Sequence, residues 1–157
     1  MRMVLAAFGL LVLSGCVATK PYYVSDSARY AVDGGLYPGK ATVYVIRDGS
    51  FPGAAWPLTA KLDGADQATL RRETFAQFAA PPGRREIFMH WNPLAGEPDV
   101  AINVELQADK TYYFAFSTSL AFMGRYSQWG AQLRQVDRST GEAMTHAFKN
   151  RDAPGAN

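Results

Sequence analysis

Few residues in this 157-residue chain belong to types that do chemistry: two histidines, one cysteine and one close pair of carboxylates. His90 lies in "FMHWN" and His146 in "MTHAF". A zinc site needs several Cys or His ligands at tight spacing, and neither histidine has such company. Both are expected at a surface or sheet edge, with no metal bound. Glu97 and Asp99 are the pair a glycosidase-type mechanism would require. Their place in the proline-rich stretch "NPLAGEPD" favours two solvated carboxylates instead. No Gly-x-Ser-x-Gly elbow and no Gly-rich phosphate loop occurs. The expectation is a protein that is not an enzyme and uses no cofactor, with a hydrolase as the least favoured alternative.

The densest constellation is aromatic. "SLAFMGRYSQWG" gathers Phe122, Met123, Arg125, Tyr126 and Trp129, and "FPGAAWP" adds Phe51 and Trp56. Aromatic residues, Met and Arg are the types enriched in protein interfaces. Loops at the end of a β-sandwich commonly carry binding function. Residues 119–129 are therefore read as an aromatic loop. It is expected either to close the core or to bind a small molecule, a glycan or peptidoglycan, as the alternative to a sandwich domain that binds or scaffolds another envelope protein.

The cysteine is explained by what precedes it. Met1-Arg2-Met3 leads into an uncharged run from Val4 to Leu13, then Ser14-Gly15-Cys16. A basic start, a short apolar core and small residues before a cut make a secretory signal peptide. The run is far shorter than the roughly 20 residues that span a bilayer. Leu13-Ser14-Gly15-Cys16 resembles the bacterial lipobox at all four positions. That resemblance implies lipid attachment at the Cys16 thiol, cleavage between Gly15 and Cys16, and acylation of the new amino terminus. Residue 17 is Val, where an Asp would favour retention in the inner membrane. The expected location is the cell envelope, in the inner leaflet of the outer membrane, facing the periplasm.

Composition narrows the rest. Cys16 has no partner cysteine, so packing must stabilise the fold; 48% hydrophobic and 13% aromatic residues suffice for one core. The 16 Lys and Arg nearly balance 14 Asp and Glu, and the only basic doublets are Arg71-Arg72 and Arg84-Arg85. A nucleic-acid binder needs a clustered basic face, so no nucleic-acid partner is expected. The doublets read as a solvated rim.

The elements follow from period and punctuation. Residues 1–15 are the signal peptide and 16–40 a lipidated cysteine with its tether, rich in Tyr, Gly and Pro. Residues 41–149 form the domain, and 150–157 a disordered tail. "ATVYVIR" (41–47) is a strand with Thr42, Tyr44 and Ile46 on one face and Val43 and Val45 on the other. Leu58–Leu62 alternates and ends at Asp63-Gly64, and a short piece covers Ala68–Leu70. In Thr74–Ala79, Phe75 and Phe78 are out of phase, which suggests a bulge or burial on both faces. Arg85–Trp91 resumes after Pro81-Pro82-Gly83. Val100, Ile102, Val104 and Leu106 give the cleanest period-2 alternation. "TYYFAFS" (111–117) reads as a strand covered on both faces, and Trp129–Val136 as the last strand. Ser139 and Glu142 have capping-box spacing before Ala143, Met144, Ala147 and Phe148, so a short C-terminal helix should pack through Met144 and Phe148. The sum is a mostly β chain, an antiparallel β-sandwich of seven or eight strands.

The ordered set of a strand ending in Arg47, the turn Pro82-Gly83-Arg84 and the segment Lys110-Thr111-Tyr112-Tyr113 resembles a family of bacterial lipoproteins known only as a domain of unknown function. Asp109 stands where that family often has Gly. The resemblance extends over roughly residues 41 to 145. It also echoes PEGA-type and immunoglobulin- or prealbumin-like sandwiches. It implies the fold and the location, and it brings no catalytic residues.

Overall fold

The computed structural model describes residues 23–24, 30–50, 52–95, 99–123 and 126–150. The protein is mostly β, with two sheets and one short C-terminal helix. Its strands are β1 (Tyr23–Val24), β2 (Val32–Asp33), β3 (Ala41–Arg47), β4 (Leu58–Leu62), β5 (Ala65–Leu70), β6 (Thr74–Ala80), β7 (Gly83–Trp91), β8 (Val100–Leu106), β9 (Lys110–Met123), β10 (Tyr126–Val136) and β11 (Lys149–Asn150). The helix is α1 (Arg138–Ala147), and Pro93–Ala95 makes one 3-10 turn.

One sheet has the order β1-β8-β7-β4-β5 and the other β10-β9-β3-β6-β11, with β2 also paired to β9. Between them lies an apolar layer of Val43, Val45, Leu58, Ala60, Ile87, Met89, Trp91, Ile102, Val104, Tyr112, Phe114, Phe116 and Leu133. These are the alternate residues that two facing sheets of a sandwich bury. The opposite face of the second sheet is covered too. Ile46, Phe75, Tyr113, Ala115 and Val136 form a smaller cluster there, against Met144 and Phe148 of the helix. Two-sided burial thus explains the phase slip in β6. Phe75 faces the helix and Phe78 the inner core, while the β3–β6 register runs unbroken from Ala41↔Ala80 to Arg47↔Thr74. "TYYFAFS" is covered on both faces for the same reason.

The pairing is not purely antiparallel. β3 and β9, at the centre of their sheet, run parallel, as do β1 with β8 and β11 with β6. No local pattern encodes such a pair, because its members are far apart in sequence.

Several expected boundaries move. Residues 17–40 do not all form a tether. Val32 pairs with Thr111, Leu36 N–H donates to Thr42 Oγ1 at 2.7 Å, and Gln77 Nε2 donates to the Tyr37 hydroxyl at 3.1 Å. The domain therefore starts well before residue 41, and Asn150 is still in a strand. The short piece at Ala68–Leu70 is a longer strand in a hairpin with β4. The turn is Asp63-Gly64, whose φ values of 48° and 84° suit a tight hairpin, and a bulge falls at Ala60/Lys61.

The helix begins two residues earlier than the capping-box reading puts it. Asp137 is the cap, its carboxylate accepting from the Thr140 N–H at 3.0 Å. Glu142 is drawn instead to Arg138 Nε, 2.6 Å away. Ala143 and Ala147 are exposed, and the packed stripe is Gly141, Met144 and Phe148. Gly141 sits so close to the Tyr113 ring that a Cβ would come within 2.2 Å of it.

Candidate functional site

The strand directions collect several loops at one end of the sandwich. β3, β5 and β7 finish there, and β4, β6 and β8 start there. Loop 48–57 after β3, the turn after β7 and the outer half of the β9–β10 hairpin therefore share this end. Four large apolar side chains are exposed among the described residues: Leu36, Trp56, Leu94 and Phe122. Trp56 (39% exposed), Leu94 (79%) and Phe122 (78%) belong to this end, and Leu36 to the opposite one.

A buried cation organises it. Arg47, 3% exposed, donates from one terminal nitrogen to Trp56 O at 2.7 Å and Leu70 O at 3.1 Å, and from the other to Gly53 O at 2.7 Å. Its guanidinium lies over the Trp91 ring, 5.4 Å from the centroid, a cation–π contact strengthened by the loss of water. Burial pushes the guanidinium pKa down, and the neighbouring Asp48 charge opposes that shift. Loop 48–57 is thus pinned by its carbonyls to the end of β3. Gly53, at φ +72°, is where the loop presses on Trp91: a Cβ there would lie 2.5 Å from the ring. The Trp91 Nε1–H is buried without a hydrogen-bond partner among the described residues.

The same loop grips the hairpin. The Ser50 hydroxyl donates to Asp48 Oδ1 and accepts from the Thr118 N–H at 2.9 Å, while Thr118 Oγ1 donates to Pro52 O at 2.7 Å. Residues 119–123 and 126–129, expected as part of a loop, are instead strand. The antiparallel register runs from Tyr126↔Met123 through Trp129↔Leu120 to Val136↔Tyr113. Arg125 lies outside the described residues, as do Gly15, Cys16, Phe51 and Glu97. At Met123, Tyr126 and Trp129 the structure describes the backbone register. Of the aromatic set, the structure therefore places the Trp56 loop and the hairpin at one end, joined through Ser50 and Thr118, with Phe122 in water.

The carboxylate reading changes as well. Asp99 is not simply solvated: its carboxylate oxygens lie 3.0 and 3.2 Å from His90 Nδ1, and Oδ1 accepts from the Trp91 N–H at 3.0 Å. This closes the turn that carries Leu94. His90 stacks on Phe88, with centroids 6.1 Å apart. A carboxylate that orients an imidazole is two-thirds of a nucleophilic triad. Among the described residues, no Ser or Cys hydroxyl or thiol is hydrogen-bonded to His90; the contacts of Asp99 with His90 and the Trp91 N–H clasp the turn. His146 is exposed on the last turn of α1.

Sequence reasoning missed Leu94 and the role of Arg47. The first is a lone apolar residue between two prolines, a weak but readable sign of an exposed tip. The second is a charge ending an apolar strand, which ordinarily signals the approach of solvent. Compared with known protein families, curated proteins and solved structures, the chain matches none.

Proposed function

We propose that this is a non-enzymatic lipoprotein of the bacterial cell envelope. It is anchored through lipid on Cys16 and uses its sandwich domain to bind or scaffold another envelope protein through the end that carries Trp56 and Leu94. The observation that carries this reading is the clustering of exposed apolar side chains on loops that are rigidly held. Trp56 sits on a loop fixed by two of its carbonyls to Arg47, which also holds Leu70 O of β5, and Leu94 on a turn closed by Asp99. Preorganised apolar tips lose little entropy on binding. The signal peptide and the Leu13-Ser14-Gly15-Cys16 motif support the anchor, with the outer membrane's periplasmic leaflet as its site.

The test places a photo-crosslinking amino acid at position 56, 94 or 36 in cells. A discrete adduct with one envelope protein from positions 56 and 94, and none from 36, is expected. Equal crosslinking from both ends, or none, removes the binding reading. The anchor is tested separately: Cys16→Ala should abolish incorporation of labelled fatty acid and block cleavage after Gly15.

A further inference from the structure

The chain enters the domain from the apolar end. β1 is parallel to β8, with Tyr23 opposite Ile102 and Val24 opposite Asn103. β8 starts at Val100, beside the Leu94 turn, so the N-terminal side of Tyr23 is directed toward the end that bears Trp56, Leu94 and Phe122. Cys16 precedes Tyr23 by seven residues, a connection that spans at most about 25 Å when fully extended.

The same end carries the part of the fold that reaches furthest. β9 pairs with β3 as far as Phe116, and Thr118 is still held by Ser50. Beyond it, Ser119–Met123 and Tyr126–Gly130 have only each other as strand partners among the described residues. Five residue pairs make a two-stranded ribbon about 16 Å long. Alternation continues along it: Leu120 and Phe122 extend the face that inside the sandwich holds Tyr112, Phe114 and Phe116. Ser119 and Ala121 take the other face, both exposed. From Thr111 to Val136 there is no Asp or Glu, and the only charged residues are Arg125 and Arg134.

We propose that the β9–β10 ribbon seats in the headgroup layer of a lipid bilayer, with Phe122 on its lipid side, so that the apolar end of the domain faces the membrane. For its geometry this rests on the lipid anchor at Cys16 proposed above; the ribbon's own affinity does not need it. Aromatic and aliphatic side chains beside Arg are the types that settle at the membrane interface. A ribbon without carboxylates is not repelled by anionic headgroups, and the one arginine in its sequence, Arg125, is attracted to them. A projecting ribbon enters a fluid layer without a matching groove, and the anchor keeps that layer within reach. The protein partner engaged by Trp56 and Leu94 would then be one that stands at the membrane surface.

The test uses the full protein purified from membranes and reconstituted into vesicles of phosphatidylethanolamine and phosphatidylglycerol with brominated acyl chains, which quench nearby tryptophans. The Trp129 signal is isolated by difference from a Trp129→Phe variant; Trp91 is buried and shielded. The expected result is loss of most of the Trp129 signal in brominated vesicles and its recovery in Phe122→Asp. Because Phe122 is 78% exposed, that variant should keep the wild-type circular dichroism and melting curve. Unquenched Trp129, or quenching that Phe122→Asp leaves unchanged, overturns the proposal, as does a discrete protein adduct from a photo-crosslinker placed at position 122. The mass of the N-terminal peptide is read on the same sample. A lipidated peptide with no quenching rejects the ribbon alone, and quenching with no lipid rejects the anchor alone. Failure of both measurements rejects both readings.

Discussion

The Arg47 guanidinium lies over the Trp91 ring, 5.4 Å from its centre, while its nitrogens hold the carbonyls of Gly53 and Trp56 in the loop and of Leu70 at the end of β5. Trp91 itself meets Phe116 edge-on at 5.7 Å. A chain Arg47–Trp91–Phe116 therefore links the loop that carries Trp56 to the strand that leads into the ribbon. One side chain sets the geometry of two candidate contact regions.

Replacing it should show that dependence. Arg47→Met keeps the apolar stem but leaves carbonyls without donors, each worth about 1–3 kcal/mol where it is buried. Urea unfolding should show a loss of at least about 2 kcal/mol. Arg47→Lys should recover only part of it, because an ammonium cannot fan out to three carbonyls in a plane. If Arg47→Met unfolds at the wild-type midpoint, the hub is not structural.

Gly141 gives a prediction with an inverted sign. At an exposed helix position, Gly→Ala adds stability, up to about 1 kcal/mol. At Gly141 the new methyl would collide with the Tyr113 ring, 2.2 Å from its nearest carbon. Overpacking costs typically about 1–3 kcal/mol, so Gly141→Ala should lower the thermal midpoint. The double variant Gly141→Ala/Tyr113→Leu should recover part of the loss. A Gly141→Ala protein more stable than wild type would show that the helix can lift off the sheet freely.

Tyr44 and Tyr113 predict an alkaline limit. Their rings stack at 4.8 Å under the helix. Burial raises both phenol pKa values; the charges of Tyr37 and Glu142 add to the shift at Tyr44, and those of Tyr44 and Glu142 to the shift at Tyr113. In the window between the unfolded value near 10 and the raised folded value, the folded state holds the proton more tightly. Stability is therefore full below about pH 10 and falls as pH rises through the folded values. Denaturation curves taken across that range should show the decline, and Tyr113→Phe should flatten it. A decline unchanged in Tyr113→Phe would assign the effect elsewhere.

The hairpin grip is separable from the core. Ser50→Ala removes the acceptor of the Thr118 N–H and the hydroxyl bound to Asp48. Hydrogen exchange should then accelerate at Thr118, with protection at the centre of β3 unchanged. Uniform acceleration across both sheets would mean that the contact supports the whole fold.

How legible this was varied with the range of the interactions. "ATVYVIR" was readable from its run of β-branched and aromatic residues, buried on both faces, and Val100 to Leu106 from its period-2 alternation. Two-sided burial in β6 was readable as the clash of phase between Phe75 and Phe78. The hairpin was not. Its connection, Gly124-Arg125, lacks the Asn-Gly or Asp-Gly pair that marks a tight turn, and Ser119, Ala121 and Gly130 dilute the β signal around Phe122. The parallel β3–β9 pair joins Thr42 to Thr111 across 69 positions, which no local window covers. Asp109 shows the opposite case. At φ 58° it adopts the left-handed conformation that favours glycine, and its carboxylate repays the strain by accepting from the Gly39 N–H at 2.8 Å.

The Asp99 clasp supplies the last prediction, because it separates structure from chemistry. Asp99 accepts from the Trp91 N–H and faces His90 Nδ1, so both contacts hold the β7–β8 turn closed behind Leu94. Asp99→Asn keeps an oxygen for the Trp91 amide and loses the charge. Asp99→Ala loses both and should cost about 1–2 kcal/mol, with faster hydrogen exchange at the Trp91 amide. Asp99→Asn should fall between Ala and wild type in both readouts. Crosslinking from position 94 should weaken in the same order if the turn must be closed for Leu94 to reach its partner. If crosslinking persists at full strength in Asp99→Ala while the Trp91 amide exchanges freely, the partner recognises Leu94 without needing the turn preformed.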